Sequence, residues 1–222
     1  MINFENVSVE KGGTTILRGI SLRIAERRVG IVGKNGSGKS TFARLFNGIE
    51  KPTSGSVYLE GEAKSQDLRK SVGFVFQNPD NQIVYPIVGE DLAFGLKNKK
   101  LPDDQIDRKI QSALERFNLG HLRERFTHQL SGGEKQMIAL IGVLVMQPRL
   151  IVFDEPTTLL DLWNKRRFMS AIDELDENLV IVSHDLPLLE KFDRIIHIDA
   201  GEVVNDGDPQ SVIDGYVRQS QC

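Results

Sequence analysis

The 222-residue sequence has one cysteine, Cys222, and it is the last residue. A single cysteine excludes a disulfide framework and a cysteine metal site within one chain. The four histidines include no His-x-x-x-His pair, so the sequence does not favour a zinc site. The longest apolar run, Met137–Val145 with Met146 just after it, is far shorter than the roughly 20 residues that a membrane-spanning helix needs. We therefore expect a chain that does not cross a bilayer by itself.

The charge balance argues against a further class of partners. The formal net charge is −3, so there is no global electrostatic reason to bind DNA or RNA. The first residues, Met1–Glu5, do not resemble a signal peptide, which predicts a cytoplasmic chain. With 40% hydrophobic and 27% charged residues, the chain is expected to be globular, as one large domain or two small lobes.

Strand-like and helix-like segments alternate along the sequence. Short apolar runs predict buried strands, and helical periodicity dominates residues 78–145. Strands that alternate with helices are typical of a parallel sheet with helices on its faces. The sequence therefore predicts an α/β fold with a helical insertion. Its clearest strands are Val29–Val32, Leu150–Phe153, Leu179–Val182 and Ile195–Ile198.

A glycine-rich loop follows the first of these strands and matches the phosphate-binding pattern Gly-x-x-x-x-Gly-Lys-Ser in full. Glycines allow the loop to turn its backbone N–H groups inward around a polyanion. Lys39 would place a cation against the β- and γ-phosphates, and Ser40 would offer a hydroxyl to Mg²⁺. A plain glycine turn is the alternative, but the flanking strand and amphipathic helix favour nucleotide binding. The predicted nucleotide-binding residues are Gly33, Lys34, Asn35, Gly36, Ser37, Gly38, Lys39, Ser40 and Thr41.

Two acids end the strand Leu150–Phe153. Adjacent strand residues point to opposite faces, so Asp154 and Glu155 are expected to have different tasks. Asp154 is placed to hold Mg²⁺, directly or through water, and Glu155 to orient and deprotonate an attacking water. Exposed acids that cap a strand are the alternative. His184 follows another strand at the same carboxyl edge of the sheet, and it is predicted to bridge the γ-phosphate and the water.

The segment Leu130–Gln136 places two glycines before an apolar helix. An exposed helix N-terminus is a potential second phosphate site. Since this segment and the phosphate loop belong to different lobes, one chain cannot easily close both around one nucleotide, whereas a head-to-tail pair of chains can. A Gly-Gly hinge before a core helix is the alternative, and spacing alone does not exclude it.

Taken together, these segments resemble the motifs of ABC-transporter ATPases over essentially the whole chain. Six motifs occur in the order that the family has. They are the Walker A loop at 33–41, the Q-loop glutamine Gln77, the signature at 131–136, the Walker B strand with its catalytic glutamate at 150–155, the D-loop residues Leu160 and Asp161, and the switch histidine His184.

The resemblance implies a P-loop NTPase with a RecA-like parallel-sheet core, an antiparallel β subdomain and a helical signature subdomain. A single ABC ATPase domain would cover 1–222, with the nucleotide-binding core at 1–77 and 147–206, the helical subdomain at 78–146 and a short C-terminal tail at 207–222. ATP and Mg²⁺ are the implied cofactors. The implied site adds Ser131, Gly132, Gly133, Glu134 and Asp161 to the nucleotide contacts, assigns Mg²⁺ to Ser40, Asp154 and Gln77, and assigns catalysis to Glu155, His184 and Gln77.

A finer resemblance points to energy-coupling-factor (ECF) importers of vitamins and metals. It is carried by 76–82 and 90–95, and segments 26–30 and 157–162 are most similar to the biotin systems. This implies an ATP-hydrolysing subunit of a vitamin importer, with biotin preferred. The chain would lie at the cytoplasmic face of the bacterial plasma membrane, held there by its partner subunits.

The implied partners are a second ATPase chain and two kinds of membrane subunit. The second chain would be another copy or a related ATPase. A transmembrane coupling subunit would dock in a groove near Gln77–Pro86, and a separate membrane subunit would bind the vitamin. The residues predicted to link lobe motion to that groove are Asp80, Asn81 and Gln82, for which a polar loop is the alternative.

Three other functions remain open at this point. One is a cobalt, nickel or other vitamin importer of the same type. Another is a soluble ABC ATPase that acts in DNA repair or cluster assembly, against which the loop at 78–82 argues. The last is a nucleotide-dependent binding module that does not hydrolyse ATP, against which Glu155 and His184 argue.

Two positions depart from the family pattern. Val9–Gly13 offers no aromatic residue to stack on adenine, so either Lys11 covers the ring with its alkyl stem or the base is weakly held. Leu159 stands where the family usually has the glycine before the D-loop leucine. We expect this change to alter the contact between the two ATPase chains and to leave the chemistry intact.

Overall fold

The computed structural model describes residues 1–60 and 67–220. The last two residues of the expected C-terminal tail, including Cys222, lie outside the described residues. The structure has a three-stranded sheet, a six-stranded sheet and a set of helices.

The chain forms two compact units. The first contains Met1–Phe74, Arg149–Glu155 and the chain from Glu177 onward. The second contains Val75–Pro148 and Pro156–Asp176. Residues 156–176 group with the second unit in this division, and the domain bounds expected from the resemblance stay a prediction.

The three-stranded sheet is antiparallel and lies in the first unit. Its strand order is β2-β1-β4, so β1 is central. The sheet packs its apolar face on the helix that follows the phosphate loop, where the ring centroid of Phe4 lies 4.8 Å from those of both Phe42 and Phe46. The strands are β1 Ile2–Lys11, β2 Thr14–Ile24 and β4 Ser54–Leu59.

The six-stranded sheet has the order β5-β6-β7-β3-β8-β9. Strand β3 pairs in parallel with β7 and β8, β6 pairs in parallel with β7, and β9 runs antiparallel to β8. The carboxyl ends of β3, β7 and β6 therefore lie side by side at one edge, where ligands of α/β proteins bind. The strands are β3 Arg28–Val32, β5 Val72–Val75, β6 Leu150–Asp154, β7 Asn178–Val182, β8 Arg194–Asp199 and β9 Glu202–Gly207.

The helices form mostly in the second unit. One example is the helix at 103–116, which buries Ile106, Ile110 and Leu114 at helical spacing. None of the helices in the described part of the chain is long and apolar enough to cross a membrane. They are α1 Lys39–Leu45, α2 Val88–Asn98, α3 Asp103–Arg116, α4 Gly132–Leu144, α5 Leu162–Asp173, α6 Leu186–Leu189 and α7 Pro209–Ser220.

The segment expected as a short C-terminal tail at 207–222 contains a helix. Residues 209–220 form α7, which buries Val212 and Ile213. Its Tyr216 ring meets the buried His197 of β8 edge-on, with centroids 4.9 Å apart. Two adjacent apolar residues are a weak helical signal in sequence, but they are enough to seat a helix on an edge of the sheet.

Candidate functional site

The phosphate loop leads from the end of β3 into α1. Gly33 has a φ of +151° and Gly38 a φ of +103°, which side-chain-bearing residues rarely adopt. A Cβ at Gly33 would lie 2.1 Å from the carbonyl oxygen of Ile198, and one at Gly38 would lie 2.7 Å from Cδ2 of Leu17. Only glycine fits at these two positions, so the conformation of the loop depends on them.

The Lys39 ammonium is held within the loop. Its Nζ donates hydrogen bonds of 2.8 Å to the carbonyl oxygens of Gly33 and Lys34. Burial lowers the pKa of Lys39, and the nearby charges of Glu155 and Asp154 oppose that effect. The loop thus presents a desolvated cation next to backbone groups, which is the arrangement that a phosphate chain requires.

A hydroxyl and a carboxylate meet beside the loop. Ser40 Oγ donates a 2.8 Å hydrogen bond to Oδ1 of the buried Asp154. Burial raises the pKa of Asp154, whereas the hydrogen bond from Ser40 and the charge of Arg44 lower it. These hard oxygen atoms fit Mg²⁺, which usually takes only one or two protein ligands in addition to substrate phosphates. The described residues contain no cluster of three or more His, Cys, Asp or Glu side chains that could hold a metal alone.

Glu155 and His184 form a second pair at the same sheet edge. His184 Nε2 lies 3.1 Å from Glu155 Oε1, and the Glu155 carboxylate is mostly shielded while the histidine is partly open to solvent. Glu155 has a φ of +49°, an uncommon left-handed backbone conformation for a residue with a side chain. Its N–H donates to the carbonyl of Val182 at 3.0 Å, which anchors it to the end of β7.

The predicted signature segment forms a helix start in the second unit. Ser131 is the N-cap of α4: its Oγ accepts from the Glu134 N–H at 3.3 Å, and Glu134 Oε2 accepts from the Ser131 N–H at 2.8 Å. These reciprocal bonds make a capping box. Hydrogen bonding by the Ser131 N–H lowers the pKa of Glu134. The Glu134 carboxylate, predicted as a nucleotide contact, is therefore engaged in holding this turn.

The predicted D-loop aspartate caps another helix in the second unit. Asp161 accepts from the backbone N–H of Asn164 at 2.9 Å and from its side-chain amide at 2.8 Å. Hydrogen bonding by Asn164 lowers the pKa of Asp161. The same Asn164 packs over Gly133, where a Cβ would lie 2.1 Å from its Oδ1. The D-loop and the signature turn are thus in direct contact through one asparagine.

Gln77 is exposed in the loop after β5, and Pro79–Asn81 form a 3₁₀ turn just beyond it. The contact of Gln77 with Mg²⁺ or the γ-phosphate stays a prediction. Leu159, Leu162 and Trp163 expose 62%, 71% and 82% of their surface around Asp161. Three large exposed apolar side chains around one helix start are unusual. We call Leu159, Leu162 and Trp163 the D-loop apolar patch.

The position expected to hold adenine shows a different use of Lys11. The lysine forms an ion pair with Glu50 in the first unit. The ion pair with Glu50 therefore restricts the Lys11 side chain. How the adenine base is held stays a prediction.

Sequence reasoning missed two residues of this arrangement. Arg44 lies one helical turn after Ser40, and its guanidinium NH2 is 3.8 Å from Asp154 Oδ2. Asn164 joins the D-loop to the signature turn. The (i, i+4) spacing of Ser40 and Arg44 was a readable signal, whereas the packing of Asn164 against Gly133 involves residues 31 positions apart and had none.

Comparison with known proteins agrees with these motifs. The family model described as ABC transporter matches residues 17–158. The chain belongs to the ABC transporter family. A Deinococcus radiodurans protein of the ABC transporter ATP-binding class is 51% identical to this ABC ATPase over 219 residues, covering 97% of each chain. The biotin transport ATP-binding protein BioM of Rhizobium etli is 41% identical, again over 97% of each chain. The energy-coupling factor transporter ATP-binding protein EcfA1 of Caldanaerobacter subterraneus is 39% identical over 96% of this chain and 82% of its own.

Solved structures of related ATPases have the same fold. CbiO1 of Clostridium perfringens, part of the ABC transporter complex cbiONQ, superimposes with a TM-score of 0.84 at 35% identity, over 99% of this chain and 93% of that one. The ATP-binding cassette MJ0796, in a dimeric post-hydrolysis state bound to ADP and Pi, superimposes with a TM-score of 0.82 at 29% identity, over 94% of this chain and 99% of that one. The family, the α/β P-loop fold and the ATPase activity expected from the motifs are confirmed.

Proposed function

We propose that this ABC ATPase hydrolyses ATP to energise an ECF-type importer of a vitamin, with biotin as the cargo. The similarity to BioM and EcfA1 extends over nearly the whole chain and supports a subunit of this kind. The observation that carries the proposal is an exposed apolar surface in the second unit.

That docking surface consists of Val84, Tyr85, Phe94 and Phe126, which expose 75%, 38%, 46% and 44% of their surface. The rings of Tyr85 and Phe94 lie 5.3 Å apart between centroids. A β-bridge between Ile87 and Phe126 brings the fourth residue to the same loop. Contiguous exposed apolar residues mark interaction sites. We assign this surface to an amphipathic helix of a transmembrane coupling subunit.

The chemistry follows from residues of the first unit and, on the family resemblance, from Gln77. The 33–41 loop and Lys39 would bind the phosphates of ATP, and Ser40 and Asp154 would hold Mg²⁺, with Gln77 as a further ligand. Mg²⁺ in such a site neutralises charge that develops on the phosphates. Glu155 would accept the proton of the attacking water, and His184, 3.1 Å away, would hold the carboxylate and contact the γ-phosphate.

The full site would need a second chain. On the family resemblance, Ser131, Gly132 and Gly133 of one chain complete the nucleotide site of its partner, with Glu134 and Asp161 beside them. Two copies of this chain, or this chain and a related ATPase, would close on ATP and open after hydrolysis. The whole 222-residue chain would act as one ABC ATPase domain, held peripherally at the cytoplasmic membrane face by its partners.

The docking surface gives a direct test. An affinity-tagged chain is purified from native membranes, as wild type and as Tyr85→Asp with Phe94→Asp. A buried charge in an apolar contact costs several kcal/mol, so we expect the double variant to lose its membrane subunits. Val204→Asp, at an exposed valine of β9, is the matched control and should keep them. Equal recovery from both variants, or recovery of no membrane protein with the wild type, would contradict the proposal.

The cargo is tested separately from the partners. Vesicles that contain the purified complex should accumulate labelled biotin only with ATP, and not with Glu155→Gln in the ATPase. ATP-dependent uptake of a cobalt or nickel ion or another vitamin in place of biotin would support the importer function and contradict biotin as the cargo. ATP hydrolysis without any recovered membrane subunit would favour the soluble ATPase.

A further inference from the structure

Two glutamine side chains hold the main chain of Phe76, the residue immediately before Gln77. Gln82 Oε1 accepts from the Phe76 N–H at 3.3 Å, and Gln136 Nε2 donates to the Phe76 carbonyl at 3.2 Å. Gln136 is almost completely buried, with 1% of its surface exposed. Buried amides with satisfied hydrogen bonds specify one arrangement of the groups they join.

Both glutamines connect Phe76 to the same helix. Gln136 is part of α4, and the amide nitrogen of Gln82 donates a 2.7 Å hydrogen bond to the carbonyl of Ala139 in α4. The Gln82 side-chain amide therefore bridges the two segments: its oxygen accepts from Phe76, and its nitrogen donates to α4. We call this pair of side chains the glutamine clamp, Gln82 and Gln136.

An ion pair reinforces the clamp. Lys135 Nζ of α4 lies 2.7 Å from Asp80 Oδ1 in the 3₁₀ turn after Gln77, with 20% of the lysine side chain and 61% of the aspartate side chain exposed. Helix α4 begins at the Ser131–Gly133 turn. Three side-chain links thus attach the chain on both sides of Gln77 to the helix that carries the signature turn.

We propose that the glutamine clamp positions the signature turn according to the state of Gln77. Gln82 and Gln136 are positioning residues: they act through the main chain of Phe76 and α4, and they make the 76–82 segment and the N-terminal half of α4 move as one body. ATP that engages Gln77 then also sets the position in which Ser131 and Gly133 are presented to a second chain. The inference rests on the proposed function, in that ATP bound at the 33–41 loop engages Gln77.

The test uses hydrogen exchange on the full-length chain that carries Glu155→Gln to prevent turnover. In this parent, Mg-ATP should slow exchange both in a 33–41 peptide and in a 131–140 peptide. Gln82→Met and Gln136→Met keep side-chain length and remove the hydrogen bonds. Each should keep the ATP effect at 33–41 and lose the effect at 131–140 by roughly 2- to 30-fold, the range for residues that couple two sites. Gln105→Met, at an exposed position of α3, is the matched control.

A charge exchange guards against a variant that simply unfolds. Asp80→Lys and Lys135→Asp should each weaken the ATP effect at 131–140, and the double exchange should restore it because the ion pair forms again with its charges exchanged. All three variants should keep the ATP effect at 33–41, which an unfolded variant would lose. The proposal is overturned if both methionine variants keep the full ATP effect at 131–140. It is also overturned if the charge exchange fails to rescue. Absence of the ATP effect at 33–41 in the parent would instead overturn the proposed function and the clamp together.

Discussion

Glu155 shows how a single residue of the candidate site is held in an unfavourable backbone conformation. A left-handed conformation costs a residue with a Cβ about 1–2 kcal/mol. The hydrogen bond from its N–H to Val182 and the contact with His184 hold it there. The sequence predicted Glu155 and His184 at the same carboxyl edge of a parallel sheet, because the alternation of strands and helices was readable. The neighbouring positions of β6 and β7 come from the structure. The sequence did not contain the φ of +49°, which arises from tertiary contacts.

We expect Glu155→Gln to retain ATP binding and lose hydrolysis. The amide keeps the shape of the side chain but cannot take a proton, and the loss of a general base costs about 10²- to 10⁴-fold in turnover. Phosphate release and calorimetric ATP binding measure the two effects. Glu190→Gln, at an exposed site, should leave both unchanged. Turnover in Glu155→Gln at the wild-type rate would contradict the assigned role.

Lys39→Ala is expected to weaken ATP binding by at least about tenfold, since a charge-assisted contact to phosphate is worth roughly 1.5–3 kcal/mol. Calorimetric titration with ATP measures the change. Lys51→Ala removes an exposed lysine of the same unit and should bind ATP as the wild type does. An unchanged affinity in Lys39→Ala would mean that the loop does not hold the phosphates.

Asp154 predicts a pH dependence with a definite sign. Burial raises its pKa in the folded chain above the unfolded value, so the folded state binds the proton more tightly. Stability contributed by this group is therefore lost as pH rises from below the ordinary aspartate pKa of 3.8 to above the raised pKa of the folded chain. Asp154→Asn should raise the free energy of unfolding at pH 7, with the advantage shrinking at acid pH, and it should also abolish hydrolysis. Urea unfolding across pH tests this, and a variant less stable than wild type at pH 7 would contradict it.

At the scale of elements, the segments with a clear local sequence pattern were predictable, whereas segments without such a pattern were not. Strands β6, β7 and β8 were readable as short apolar runs, and the phosphate loop as a complete motif. Strand β9 was not, because Glu202–Gly207 is short and mostly exposed. It pairs with β8 as an antiparallel hairpin, and Arg194 Nε donates a 2.6 Å hydrogen bond to Asp206 Oδ1 across the two strands.

The contact between α4 and α5 at Gly133 and Asn164 predicts a loss of stability when Gly133 is replaced, and the neighbouring Gly132 is the control. Gly133→Ala would place a Cβ against Asn164, and we expect it to destabilise the chain by about 1–3 kcal/mol, as overpacking does. Gly132→Ala would place its Cβ in open space and should not reduce the free energy of unfolding. Chemical denaturation of both variants measures the difference. Equal stability of the two would mean that Asn164 moves aside without cost.

At the scale of the whole molecule, one chain carries every ATPase motif in its two units, but by the family resemblance each nucleotide site needs segments from two chains. If two copies complete the site, hydrolysis per chain should rise with protein concentration until the pair forms. The purified chain should also hydrolyse slowly when its membrane partner is missing. A rate per chain that is constant over a hundredfold range of dilution would show that pairing does not limit the reaction, and phosphate release against concentration measures it.

The D-loop apolar patch has a practical consequence. Trp163 is the single tryptophan of the sequence, and 82% of its surface is exposed. Its indole emission therefore comes from one known place and starts from a hydrated state. Any process that buries the Trp163 indole away from water would shift its emission to shorter wavelengths. The chain thus carries a built-in optical reporter, which can time nucleotide-driven association in a stopped-flow instrument without a dye.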